Sequence, residues 1–101
     1  AIDELGLKGS VFTAGTGMPA ANAQILKDGS VSALTLWDPA DAGYALASLA
    51  TKILKGEKIE DGVDLGVEGY ENMHFAPGSN KVLEGNGWLK ITKDNVDSLG
   101  F

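Results

Sequence analysis

Between residues 10 and 56 a β-rich run and a helix-forming stretch alternate twice, with short loops between them. This rhythm restricts the fold more than any other feature. Strand, helix, strand, helix with brief connections is the pattern of an open parallel α/β sheet. Ser10-Val11-Phe12-Thr13-Ala14 is the first run, rich in β-branched and aromatic residues. The loop Gly15-Thr16-Gly17-Met18 leads to Pro19, which suits the first position of a helix. That helix runs through Ala20 to Lys27 and stops at Asp28-Gly29. Val31 to Trp37 reads as the second strand. Asp38 is then a good N-cap, Pro39 a good first residue, and Asp41 places a carboxylate in the first turn, where the helix dipole favours it. Ala42, Ala45, Leu46, Leu49, Ala50, Ile53 and Leu54 recur at three- and four-residue steps and predict one apolar face. Lys52, Lys55 and Gly56 close that helix.

The two ends read differently. Ile2, Leu5 and Leu7 resemble the tail of an amphipathic helix that Lys8-Gly9 terminates, with no cap at Ala1, as though cut. From residue 59 onward glycine and short polar turns replace the helical period. Asp61-Gly62 and Gly66 mark turns, and Tyr70 to Phe75 predicts a strand. Lys81-Val82-Leu83 and Trp88-Leu89-Lys90-Ile91 flank Glu84-Gly85-Asn86-Gly87, and Asn-Gly between two β-runs predicts a hairpin. Thr92 is expected to cap a last helical turn over Val96 to Leu99. The texture divides the chain into residues 1–58 and 59–101.

Composition narrows the classes of function. The 101 residues are 44% hydrophobic and 22% charged, which suits a globular domain or part of one and excludes disorder and fibres. Fourteen acidic against eight basic residues give a net charge of -6, so phosphate backbones are repelled and no nucleic-acid partner is expected. No apolar run approaches the roughly 20 residues of a membrane span. Ala1-Ile2-Asp3-Glu4 has no basic region of the kind that opens a signal peptide. The absence of cysteine excludes disulfides, thiolate metal sites and thiol nucleophiles, and leaves the compartment open. A chain this short suffices for one small domain, not for two lobes with a cleft between them.

Ligands of open α/β sheets bind beyond the carboxyl ends of the strands. Two such corners exist, Gly15-Thr16-Gly17-Met18-Pro19 and Trp37-Asp38-Pro39. The first reads as a plain turn or as a ligand-facing corner for a neutral solute. A phosphate loop is the weakest reading, because no Lys-Ser/Thr follows and the glycine fingerprint is incomplete. Asp38 is foremost a helix cap, yet one carboxylate oxygen can cap while the other accepts from a hydroxyl. Trp37 suits either a core or a ligand face. An aromatic surface beside an ionised acceptor is how carbohydrate sites are built. His74, the lone histidine, reads as a structural strand residue, since neither a zinc set nor a nucleophile with an orienting acid is patterned around it. Glu57, Glu60, Asp61, Asp64, Asp94 and Asp97 read as solvated acidic surface, and Asp61, Asp64 and Glu68 do not fit a calcium loop. Asn86 and Gly87 read as turn residues. No metal and no cofactor is expected.

The run Leu36-Trp37-Asp38-Pro39-Ala40-Asp41-Ala42-Gly43-Tyr44, following Phe12-Thr13-Ala14-Gly15-Thr16-Gly17-Met18-Pro19, resembles the C-terminal part of bacterial periplasmic solute-binding proteins of ABC importers. The branch it most resembles is that of the autoinducer-2 and rhamnose binders. The ending, Gly85-Asn86-Gly87 and Asn95-Val96-Asp97-Ser98-Leu99-Gly100-Phe101, resembles the same branch. The resemblance implies a type I periplasmic binding protein: two Rossmann-like lobes joined by hinge strands, a sugar-like solute between them, and a membrane permease that senses closure. This chain would be a partial Rossmann-like lobe, parallel βαβα, over residues 1–58. A hinge crossing and C-terminal hairpin segment would follow over 59–101. The rest of the same protein would complete it, free in the periplasm or lipid-anchored. Ligand contacts carried over are Asp38 first, as acceptor for a solute hydroxyl, with Trp37, Gly15, Thr16, Gly17 and Met18. Other contacts would lie outside the chain, so alone it should hold solute poorly.

Two other classes share these features. The ligand-sensing domain of a sugar-responsive transcription repressor can have the same fold, although the ending argues against it. A fragment of an α/β enzyme using Asp38 as an acid or base lacks a nucleophile, a metal set and a second catalytic carboxylate.

Overall fold

Both prolines flagged above start helices, because a residue without an N–H loses nothing in the first turn. The computed structural model describes residues 1–101. In chain order its elements are β1 (Ala14–Thr16), α1 (Pro19–Lys27), β2 (Ala33–Trp37), α2 (Pro39–Leu54), β3 (His74–Phe75), β4 (Leu83–Glu84), β5 (Trp88–Ile91) and a 3-10 turn, Val96–Ser98. No helix is long and apolar enough to cross a membrane. Backbone contacts divide the chain into two compact units, Ala1–Leu36 with Leu89–Phe101, and Trp37–Trp88.

In the first unit β1 and β2 run parallel, with Ala14 opposite Ala33 and Thr16 opposite Thr35. The sheet order is β1-β2-β5. Alternation along β2 turns Leu34 and Leu36 inward and leaves Thr35 outside. They pack with Leu26 of α1, Ile91 of β5 and Val96, and Ala23, Val31, Leu99 and Phe101 close the edges. Asn95 ties the last turn, since its Oδ1 accepts the Thr92 N–H at 2.8 Å. The expected last turn is present as a 3-10 turn, but Asn95 and not Thr92 stands at its N-cap, and no side chain caps it.

Two expectations fail in this unit. The first strand begins at Ala14, not Ser10, so Gly15 and Thr16 lie in β1 and not in the loop after it. Val11 instead folds back on Lys8 through a tight turn, with the Ser10 and Val11 N–H groups both donated to the Leu7 carbonyl. Residues 2–6 form turns, and no helix runs through Leu7. Gly6 takes a left-handed conformation, φ 64°, which ends any helical run at once.

In the second unit α2 lays Ala45 and Leu49 against Leu65 and Met73, with Val63, Val67, Tyr70 and Leu83 around them. Only part of the predicted apolar face is covered, for Leu46, Ile53 and Leu54 stay exposed. The predicted strand over Tyr70–Phe75 shrinks to β3, paired antiparallel with β4 so that His74 faces Glu84 and Phe75 faces Leu83. The Asn-Gly hairpin does not form, because β4 pairs with β3 while β5 joins the other sheet. A type I′ turn needs positive φ at both central residues, and neither Asn86 nor Gly87 has it. Gly87 serves space instead: a Cβ there would stand 2.5 Å from the Tyr70 ring.

Candidate functional site

Asp38 sits half-buried at the start of α2. Its Oδ1 accepts the Ala40 N–H at 2.7 Å, and its own carbonyl accepts from Ala42 N–H at 3.0 Å. The capping role is thus present, and Oδ2 keeps both lone pairs for another donor. Trp37, one residue earlier, ends β2 and is exposed. It meets Trp88 edge to face, centroids 5.5 Å apart and planes at 81°. Tyr70 stands in the same surroundings. Burial first, then the negative charges of Asp41 and Asp38, push its phenol above the usual range. Tyr70 and Trp88 were not singled out from the sequence. Each read only as the first residue of a predicted strand, and only packing brings them to Trp37.

The other corner belongs to the first unit. Gly15 pairs with Leu34 in the sheet, and its carbonyl accepts from the Thr35 hydroxyl at 3.4 Å. Thr16 ends β1 and Met18 is exposed. Neither Gly15 nor Gly17 has positive φ. Glycine at 17 makes room for the Asn22 amide, which donates to the Met18 carbonyl at 2.8 Å and would lie 2.9 Å from any added Cβ.

His74 carries a partner that the sequence did not reveal. Its Nδ1 lies 2.9 Å from Asp61 Oδ2, while Asp61 Oδ1 accepts the Phe75 N–H at 2.8 Å. The imidazole and this N–H together hold the Asp61 carboxyl below its ordinary range. An orienting acid is therefore present, thirteen residues away in the chain. The open cavity of about 740 Å³ beside His74 is walled by Glu68, Glu71, Asn72, Glu84 and neighbouring backbone, without a hydroxyl or thiol nucleophile. The acidic residues read as solvated surface are exposed, and several have partners: Asp64 accepts the Gly66 N–H at 2.6 Å, and Asp97 pairs with Lys27 at 2.6 Å. No three His, Asp or Glu side chains gather in a metal-ligating cluster.

A family model described as a periplasmic binding protein domain matches residues 1–58, more than half of the chain. The chain belongs to that family. Comparison with curated proteins gives no match. As a family member, the chain carries a mixed α/β fold of the kind found in part of a type I lobe, built here on the parallel β1–β2 pair and its helices. Periplasmic binding proteins typically bind a ligand without chemical turnover, act outside the cytoplasm and usually serve a transporter.

Proposed function

We propose that this periplasmic binding protein segment belongs to the solute-binding component of an ABC-type importer for a small sugar, in the autoinducer-2 and rhamnose branch. Residues 1–58 form the end of the second α/β lobe, and 59–101 the hinge crossing with its C-terminal β-rich segment. The rest of the same protein supplies the other lobe, and closure about the hinge is what a membrane permease senses. Specificity arises because polar groups left unpaired in a closed cleft are costly. The protein binds and does not catalyse.

One observation carries this reading. Asp38 spends one carboxylate oxygen on the cap of α2 and holds the other uncommitted, one residue along the chain from the exposed Trp37. That oxygen accepts a solute hydroxyl, and Trp37 takes C–H surface. Gly15, Thr16, Gly17 and Met18 are further contacts from the end of β1.

The test is calorimetry on the complete protein with Asp38→Ala. Loss of the cap costs about 1 kcal/mol of stability. Loss of the acceptor weakens rhamnose or autoinducer-2 affinity by about tenfold or more, equivalent to about 1.4 kcal/mol. Unchanged affinity removes Asp38 from the site.

A further inference from the structure

Glycine follows asparagine once in the chain, at Asn86-Gly87. The pair lies between β4 and β5, in no regular element. Packing is what demands glycine on this segment. A Cβ on Gly87 would come 2.5 Å from Tyr70 Cε2, and one on Gly85 would come 2.5 Å from Met73 Sδ. Neither glycine has positive φ, so neighbouring atoms, not backbone conformation, exclude larger residues. The backbone of Gly87 also lies against Gly69, and the Asn86 N–H donates to the Gly69 carbonyl at 2.8 Å.

The glycine that packing requires leaves Asn86 open to attack by its own chain. The backbone nitrogen after an asparagine can reach the side-chain amide carbon and close a succinimide ring, and a reaction within one chain needs no encounter. A Cβ on the following residue crowds that approach, and glycine has none. Asn86 is exposed. Hydrogen bonds hold the side chains of Asn22, Asn72 and Asn95, whereas those of Asn80 and Asn86 take part in none. Asn80 precedes Lys81, which carries a Cβ. Two aspartates also precede glycine, but Asp28 accepts the Ser30 N–H at 2.8 Å, and Asp61 is held by His74 and by the Phe75 N–H. Asn86 alone combines exposure, an unheld amide and a glycine neighbour.

We propose that Asn86 is a site of self-modification, where deamidation through a succinimide, with water as co-reactant, gives aspartate and isoaspartate and loosens the packing around Gly87. The Gly87 nitrogen loses its proton to solvent base and bonds to Asn86 Cγ. The bond from Cγ to the side-chain nitrogen breaks, and that nitrogen takes a proton from solvent and leaves as ammonia. Water then opens the ring. Cleavage of the new bond at Cγ gives aspartate. Cleavage between the Asn86 carbonyl carbon and the Gly87 nitrogen gives isoaspartate, whose main chain runs through Cβ and Cγ. Nothing is oxidised or reduced. Aspartate adds a carboxylate to the cavity that Glu68, Glu71 and Glu84 already line. Isoaspartate inserts a methylene into the main chain where Gly69 and Tyr70 press on Gly87, and close-packed atoms leave no room for it. A side chain at residue 87 would slow the reaction, but the Tyr70 ring fills that space.

The test is to age the 101-residue chain in native buffer at neutral and mildly alkaline pH and to map its peptides by mass. Isoaspartate is counted with the methyltransferase that recognises it. Acid should replace amide at residue 86 about tenfold or more faster than at residue 80, a difference in barrier of about 1.4 kcal/mol. The rate should rise with pH, and isoaspartate should be among the products. Asn86→Gln keeps an amide on a longer arm that closes the ring poorly, so residue 86 should then stay unmodified. In the aged parent the residue-86 N–H should exchange faster than in fresh protein. Conversion at residue 86 no faster than at residue 80 overturns the proposal. Conversion that occurs only in urea overturns it too, because the fold would then shield Asn86. Aspartate without isoaspartate would mean direct attack of water on the amide, and the ring route falls. If the residue-86 N–H of the converted chain stays as protected as in fresh protein, the effect on packing falls.

Discussion

The two units reach order by different means. The first buries Leu26, Leu34, Leu36, Ile91 and Val96 in layers set by strand alternation and helix period. The second buries only Ala45, Leu65 and Met73, around one long helix and an irregular path. There the backbone itself interlocks. A Cβ on Gly69 would stand 2.5 Å from the Gly87 Cα, and the Gly69 carbonyl accepts the Asn86 N–H at 2.8 Å. Apolar layers tolerate modest changes of shape, whereas backbone packed on backbone has nothing that can move aside. The second unit also carries the exposed Trp37–Trp88 pair. The part of the chain with the smaller core is thus the part with the open aromatic surface.

The strongest test of this contrast is Gly69→Ala. It adds a Cβ against backbone at a left-handed position, φ 80°, and should cost about 4 kcal/mol. Hydrogen exchange should show the loss concentrated in α2 and the Val63–Met73 region. Ile91→Ala comes next. It empties a site with no solvent exposure and should cost about 3 kcal/mol, with protection lost chiefly in β2 and α1. Equal loss of protection across both units in either variant would mean that they unfold as one body, and the contrast would dissolve.

The smallest effect is electrostatic and belongs to the second unit. Asp61 holds the His74 imidazole and the Phe75 N–H, and its folded-state carboxyl lies below the ordinary range. A depressed carboxyl stabilises the fold above the unfolded value of about 4 and loses that contribution as pH falls through the folded value. Asp61→Asn should therefore flatten the acid limb of stability, and Phe75 N–H exchange should lose its pH dependence there. Because both groups are exposed, solvent screening keeps the change small. An unaltered acid limb would assign the pH response elsewhere.

Both helices were legible because their signals are local. Pro19, Asp38-Pro39, Asp28-Gly29 and Gly56 act on their own turns, and the structure places α1 and α2 between them. The hairpin at Asn86-Gly87 was misread because glycine there answers to Tyr70, seventeen positions away, and not to its own turn. The His74–Asp61 pair was invisible for the same reason. Of the candidate site, Asp38 and Trp37 could be picked out as an acid and an aromatic at a strand end. Trp88 and Tyr70 could not, since they join that group only through packing.

By itself the sequence determined where α1 and α2 start and stop, which depends on a few neighbouring residues, and a net negative charge, which depends on composition alone. Only the tertiary structure decided which sheet each C-terminal strand joins, why residues 69, 85 and 87 are glycine, and which rings meet Trp37. Those outcomes depend on contacts between distant segments, whose partners no local pattern encodes.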